Sequence, residues 1–282
     1  MDRRRLAAAT APAVVTPVLL AAGFRAAGLG KGDVLMVHSS LSSFGRVVGG
    51  ADAVIDALLD VVGPEGLVSV PTHTWGTVNS RQPVFHEALS HSIVGHITNV
   101  FRKRPGALRS LHPTHSVAAI GRRAREYTRG HEKDLTPCSR RSPYGKVVSW
   151  GGKVVFLGVG IEYCTLVHGF EEWARAPWLF APKKELLFTV RRNGRVIRVP
   201  SWRHAEGSHL HRDYTSLEPM LREKGALTSV MVGPATVRVL DARAAERIMV
   251  PLLRRQPDRT LARRAGARRG LAPSGRTRRR GK

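Results

Sequence analysis

The sequence predicts an α/β protein: three layers, α/β/α, around a mostly parallel central sheet, with a small C-terminal β-hairpin and helix region. Three observations predict it. Short all-apolar runs at 34–37 (VLMV) and 154–157 (VVFL) read as strands buried on both faces. Stretches of helical period separate such runs, the alternation that builds a sheet covered by helices. The 282 residues are 42% hydrophobic, ordinary for a chain that folds around a sizeable core.

The elements follow in order. Thr16-Pro17 is a helix start, an N-cap followed by proline at the first helical position, and the helix is expected from about Pro17 to Leu29. The basic and then apolar stretch before it has the look of a signal peptide. A structural first helix is the reading taken, because it leads through Gly30 and Gly32 directly into the strand Val34–His38. An amphipathic helix enters through Gly49-Gly50 and closes at Gly63-Pro64, and a buried strand ends at Pro71. A helix over SIVGHITNVFRKR, a short strand HSVAAIG, an apolar strand GKVVFLGVG and a helix CTLVHGFEEWARA come next. Two strands flank Asn193-Gly194, the signal of a type I′ hairpin, at about 185–200. The remainder reads helix, strand, helix.

One domain spans 1–251, and 252–282 is an Arg-rich tail without apolar period, read as disordered. Lys and Arg number 46 against 21 acids, a formal +25. The tail holds 12 bases and one acid, so the body keeps +14. Such a tail can bind nucleic acid or anionic lipid, or simply be solvated. No apolar run is long enough to span a membrane. Two cysteines without a CxxC leave a reducing cytoplasm as the expected location and argue against a disulfide framework or metal knuckle. Oligomeric state is not legible.

In an open α/β sheet, ligands bind beyond the carboxyl ends of the strands. Those ends carry His38-Ser39-Ser40, Pro71-Thr72-His73-Thr74-Trp75 and Gly158-Val159-Gly160. On the helix CTLVHGFEE, Thr165, His168 and Glu171 are i, i+3 neighbours, so one face bears a hydroxyl, an imidazole and a carboxylate. Imidazole is a natural proton acceptor at neutral pH, and Glu171 or Glu172 can fix its tautomer. Thr165, near the helix start, can stabilise an oxyanion. A surface helix with a chance His-Glu pair is the bland alternative.

The loop with Ser39, Ser40, Leu41, Ser42 and Ser43 offers hydroxyls and backbone N–H groups to an anion, or caps a turn. His38 suits the same site or a structural place in the core. Arg109 and Ser110 are candidates for a phosphate, and His112, held extended by Pro113, for a cofactor or substrate contact. The same segment can instead be a Pro-fixed turn. Thr72, Trp75 and His204 are expected on the substrate side, with Glu172. His209 and His211 with Asp213 have metal-like spacing but no third ligand set by it, and no metal site is assigned. Cys164, four residues before His168, is a second-choice covalent nucleophile. P-loop, GxGxxG and GxSxG patterns are absent.

Four segments in this order, GDVLMVHSSLSSFG, RSLHPTHSVAAIG, RSPYGKVVSWGGKVVFLGVG and CTLVHGFEEWARAPWL, resemble the aminoglycoside 3-N-acetyltransferase family, over about Thr16 to Leu253. The resemblance implies acetyl transfer from acetyl-CoA, used as co-substrate without a metal, to the 3-N amine of an aminoglycoside-type antibiotic. It implies that the TxxHxxE pattern is catalytic, hence Thr165, His168 and Glu171; direct attack is preferred to the Cys164 route because it needs only the base. It implies that His38, Ser39, Ser40, Leu41 and Ser43 line the cofactor cleft. The basic charge suits an anionic donor better than a polycationic acceptor. An N-acetyltransferase for another amine in a biosynthetic pathway is therefore one alternative, and a nucleic-acid-binding protein using its tail is another.

Overall fold

The computed structural model describes residues 14–205 and 211–262. Strand β1 (Val14–Val15) precedes helix α1 (Pro17–Ala26), capped by Thr16, whose Oγ1 accepts from the Leu19 N–H. The helix stops short of Leu29 because Gly28 turns the chain at φ +84°. Next come β2 (Val34–Ser39), β3 (Arg46–Val47), α2 (Gly50–Val62) and β4 (Leu67–Pro71). They are followed by β5 (Val84–His86), α3 (His96–Phe101), β6 (Leu108–Arg109) and β7 (Val117–Gly121). Then come α4 (Ala124–Thr128), α5 (Pro143–Ser149), β8 (Lys153–Leu157) and α6 (Thr165–Ala174). The last part holds β9 (Glu185–Val190), β10 (Val196–Ser201), α7 (Glu218–Glu223), β11 (Leu227–Val232), β12 (Ala235–Asp241) and α8 (Ala242–Arg255).

Seven strands form the main sheet in the order β11-β12-β8-β2-β4-β7-β6. Only β8-β2 and β2-β4 pair in parallel; the other four pairs are antiparallel. The sheet is thus mixed, not mostly parallel as expected. The pairs β4-β7 and β8-β12 are antiparallel although long links join them. Parallel neighbours need a long crossover, and α2 supplies one between β2 and β4, whereas the short links of β6 to β7 and of β11 to β12 force antiparallel return. One such link was hidden in the sequence. VMVGPATVRV reads as a single apolar run, but Gly233, at φ +57°, folds it into the hairpin β11-β12.

Side chains alternate across the central strands. Leu35, Val37, Val68, Val155 and Leu157 join α1 and α2 in one buried cluster. Met36, Leu67, Val154 and Phe156 join α5, α6 and α8 in another.

The predicted hairpin forms, β9 against β10, with β5 alongside in parallel. Its turn is not type I′, since Asn193 keeps a negative φ and only Gly194, at +80°, is left-handed. That is the type I turn with a bulge glycine. The helix expected over SIVGHITNVFRKR is shorter, because Gly95 at φ +119° delays its start to His96. At the other end α8 continues through Arg255, past the Leu252 boundary of the expected tail, and Thr260 is buried. Residues 263–282, the bulk of that tail, lie outside the described residues. No helix among the described residues is long and apolar enough to cross a membrane.

Candidate active site

The parallel strands β2, β4 and β8 deliver their carboxyl ends to one rim, where a cleft of about 990 Å³ opens. Its walls include His38, Ser39, Ser40, Leu41 and Ser42 after β2, and His73 and Trp75 after β4. Gly95 and His96 at the start of α3, Thr165 and His168 on α6, and His204, Arg212 and Tyr214 complete them.

His168 is the group with the clearest chemistry. Its Nδ1 lies 2.9 Å from Glu171 Oε2 and 2.9 Å from the Tyr214 hydroxyl oxygen, and that hydroxyl donates to the same carboxylate oxygen at 3.2 Å. An ionised carboxylate only accepts, so Nδ1 carries the ring proton and Nε2 is left with its lone pair. Among the described residues Nε2 has no hydrogen-bond partner, and the side chain is 19% exposed against 0% for Glu171. The ring therefore faces the cleft with its basic nitrogen, backed by a sequestered carboxylate. Burial pushes the His168 pKa down to about 4; charge on His204 adds to this and the Glu171 hydrogen bond opposes it. Burial works most strongly against ionisation of Glu171, but the hydrogen bond and charge of His168, with Thr260 and Arg212, together outweigh it and hold this carboxyl below its ordinary range. Burial, with Glu171 adding to it, keeps the Tyr214 phenol protonated well above its usual range.

Thr165 is the first residue of α6 and lines the cleft one turn before His168. Cys164, also in the wall, is buried and its thiol is pushed up to about 12 by desolvation, so it stays a thiol. The covalent route loses its thiolate on that account.

The serine loop is divided. Ser39, Ser40 and Leu41 line the cleft, and the Ser40 and Ser42 hydroxyls lie 3.1 Å apart. Ser39 Oγ and His38 Nε2 are buried without a partner, two polar atoms at the cleft wall able to meet a ligand's amide. His38 also stacks on Phe156, ring centroids 5.5 Å apart, and burial lowers its pKa to about 4, so it is neutral. Ser43 instead donates to the Gly158 carbonyl at 2.8 Å and ties the loop to the end of β8.

Several residues expected to contact the cofactor or substrate are placed elsewhere. Arg109 is buried, its guanidinium donating to Thr72 Oγ1, Ser116 Oγ and the carbonyls of Thr72, Glu87 and Ser90. It holds the segments after β4 and β5 together and has no face left for a phosphate. Thr72 itself is fully buried in that network. Ser110 bonds to His131 Nδ1 and accepts from the Val117 N–H. His112 is fully buried, its Nδ1 accepting from the His115 N–H, which is the turn role rather than the ligand role. Glu172 faces away from the cleft, accepting from Thr136, the Cys138 N–H and His204 Nε2. Trp75 and His204 do line the cleft.

Sequence reasoning placed His73 at this rim without giving it a role, and missed Tyr214, His115 and Arg212 among the lining residues. His115 had a signal, being one of two histidines in HPTHS; Tyr214, in an irregular stretch, had none. Of the proposed metal-like spacing, His209 lies outside the described residues, and Asp213 caps the turn at Ser216. Cys138, Glu172 and His204 bring ligand atoms within 4.8 Å of one another. The hydrogen bonds just given already account for that carboxylate.

Residues 36–254 match the family described as aminoglycoside 3-N-acetyltransferase. The chain is 37% identical over 182 residues to aminoglycoside N(3)-acetyltransferase VII of Streptomyces paromomycinus, covering 58% of this chain and 62% of that relative. It is 33% identical over 180 residues to aminoglycoside N(3)-acetyltransferase VIII of Streptomyces fradiae, covering 58% and 63%. These matches span less than two thirds of the relatives' length. Among solved structures, AAC-IIIb in a binary complex with CoASH superposes with a TM-score of 0.75 at 29% identity, over 86% of this chain and 97% of that one. A mutant of AAC(3)-IVa in complex with a gentamicin superposes with a TM-score of 0.75 at 26% identity, over 88% and 92%.

Proposed function

The chain belongs to the aminoglycoside 3-N-acetyltransferase family, and from that premise we propose that it transfers an acetyl group from acetyl-CoA to an amine of an aminoglycoside-type acceptor. The observation that carries the reading is His168: Nδ1 held by Glu171, Nε2 without a protein partner among the described residues, and the ring in the wall of the cleft.

The amine nitrogen attacks the thioester carbonyl carbon, and His168 Nε2 takes the proton that the nitrogen sheds. The C–S bond then breaks, and the proton passes to the departing thiolate, which leaves as CoASH. Thr165 and the N-terminus of α6 favour the oxyanion formed between these steps. Glu171 stays ionised and steadies the transient imidazolium, the role of a buried carboxylate behind a catalytic histidine. The Ser40 and Ser42 hydroxyls in the cleft wall suit the pantetheine amides of the donor.

One observation favours a second reading for the acceptor. Among the described lining residues the one carboxylate is Glu162, and Arg212 adds a positive charge to the same lining. A polycation is better served by several carboxylates, so an amine with fewer charges is the alternative.

The test is thiol release from acetyl-CoA across a panel of aminoglycosides and of mono- and diamines. Release with aminoglycosides, cut about a hundredfold or more in His168→Ala while acetyl-CoA still binds, is the expected result. Release with simple amines alone moves the assignment to the second reading. No release with any amine, or full turnover in His168→Ala, overturns the mechanism.

A further inference from the structure

A second histidine–glutamate pair stands beside the first. His204 follows β10, and its Nε2 lies 2.8 Å from Glu172 Oε1. Glu172 also accepts from Thr136 Oγ1 at 2.7 Å and from the Cys138 N–H at 2.8 Å, so its carboxylate is fixed in place. Glu171 and Glu172 are consecutive on α6, and each points to its own histidine. The two rings face one another with centroids 4.6 Å apart and planes inclined by 36°. On its other sides His204 meets Phe180 at 5.9 Å and the edge of His115 at 5.3 Å. Its side chain is 6% exposed, and Nδ1 is buried without a partner. Neither nitrogen of His204 therefore reaches the space where donor and acceptor would meet. The ring touches the base, not the reactants.

We propose that His204, anchored by Glu172, is a positioning residue for His168, a wall that holds the base's ring with Nε2 turned to the cleft. The inference rests on His168 being the base. The hydrogen bond to Glu171 fixes one edge of the His168 ring but leaves a swing about that bond open. A second flat ring packed against its face removes that freedom. A base confined to the attack geometry keeps the advantage of proximity that a swinging one loses. The arrangement also makes the two rings sense each other electrically: a proton on His204 opposes a proton on His168. The other ionisable groups acting on His168 are Glu171 on its own helix, Tyr214 and Arg212 before α7, and His73 and His115 on the strand-end segments. None of these is removed by altering His204.

The experiment has two arms. Histidine ring nitrogen NMR of the full chain at neutral pH, without substrate, reads the tautomer and mobility of the His168 ring in the parent protein and in His204→Gln, whose amide can still donate to Glu172. The second arm measures kcat and KM for acetyl-CoA at the same pH in the same proteins. We expect the His168 ring to be held as one tautomer, with Nδ1 protonated, in the parent and to become mobile in His204→Gln. We also expect kcat to fall about tenfold with KM within about twofold. Glu172→Gln, which leaves the ring but loosens its anchor, should move both readouts the same way and less far. An unchanged ring signature with unchanged kcat overturns the proposal. A fall in kcat with KM raised in parallel and the His168 ring still held also overturns it, since that is the mark of general damage. If the parent shows no acetyl transfer at all, the function reading fails, and the NMR arm still decides whether His204 holds the ring. Should His204→Gln not fold, the Glu172→Gln spectra decide alone.

Discussion

Lowering the pH from 7 to 5 should destabilise this protein by an amount comparable to its whole folding free energy. Three imidazoles carry the calculation. His38 and His168 are lowered to about 4 and His131 to about 3, in each case chiefly by desolvation. Their unfolded values stand near 6.5. A group whose folded pKa is depressed in this way binds fewer protons folded than unfolded between the two values, so stability rises with pH across that window. Above pH 6.5 the ring is neutral in both states and nothing is lost. As the pH falls from 6.5 toward 4 the unfolded state takes up protons that the folded state refuses. At pH 5 each ring contributes about 2 kcal/mol against folding, and the three together about 6 kcal/mol, where a domain has roughly 5–15 to lose. His73, His112 and His115 are also lowered by burial, and they push in the same direction. The comparison stays above the ordinary carboxylate range, which keeps most of ordinary acid unfolding out of it. Urea unfolding followed by tryptophan fluorescence at pH 7, 6 and 5 measures the effect as a falling midpoint at constant slope. A midpoint at pH 5 equal to that at pH 7 would refute the claim that these rings are folded in as neutral groups.

Three further outcomes are expected. Glu171→Gln removes the anionic acceptor at 2.9 Å from His168 Nδ1 and should cut kcat by roughly 10- to 100-fold, the worth of a charge-assisted hydrogen bond. Glu172→Gln should cut it less, and the reverse order in steady-state assays would mean that the wrong carboxylate backs the base. Tyr214→Phe deletes a hydroxyl bonded to both members of the pair and should cost about 1 kcal/mol, near fivefold in kcat, with thermal stability nearly kept; an effect on KM alone would place the hydroxyl at the substrate instead. Arg109→Ala strands buried acceptors and should lower the melting temperature by several degrees, with KM for acetyl-CoA in the surviving folded protein little changed. A raised KM at unaltered stability would restore Arg109 to the cofactor.

Helix α6 was the most legible part of the candidate site. Thr165, His168 and Glu171 recur every three residues, and an α-helix converts that spacing into one face whatever it packs on. The serine loop was legible by position, since residues at a strand's carboxyl end must emerge at the rim. Arg109, Ser110, His112 and Thr72 were read by side-chain type, and type does not say which way a side chain turns. Arg109, Ser110 and Thr72 have polar neighbours supplied by other segments, while His112 is tied down by its own turn. Arg109 reaches the carbonyls of Glu87 and Ser90 across a loop, and burial there demands that every donor be satisfied.

The order of helices and strands, the stop at each glycine turn and the grouping of base and carboxylate on α6 were determined by local chemistry, because propensity, capping and period act over a few residues. Strand direction and the cleft's occupants were decided only in three dimensions. Whether β7 and β12 run with or against β4 and β8 depends on how the intervening segments pack, since the links between them are long enough for either direction. Tyr214 meets His168, and the tilted ring of His204 packs against it, because segments 36 to 46 residues downstream fold back over α6. No periodicity records a contact of that range; only packing does, by burying the partners together and leaving them one another to bond.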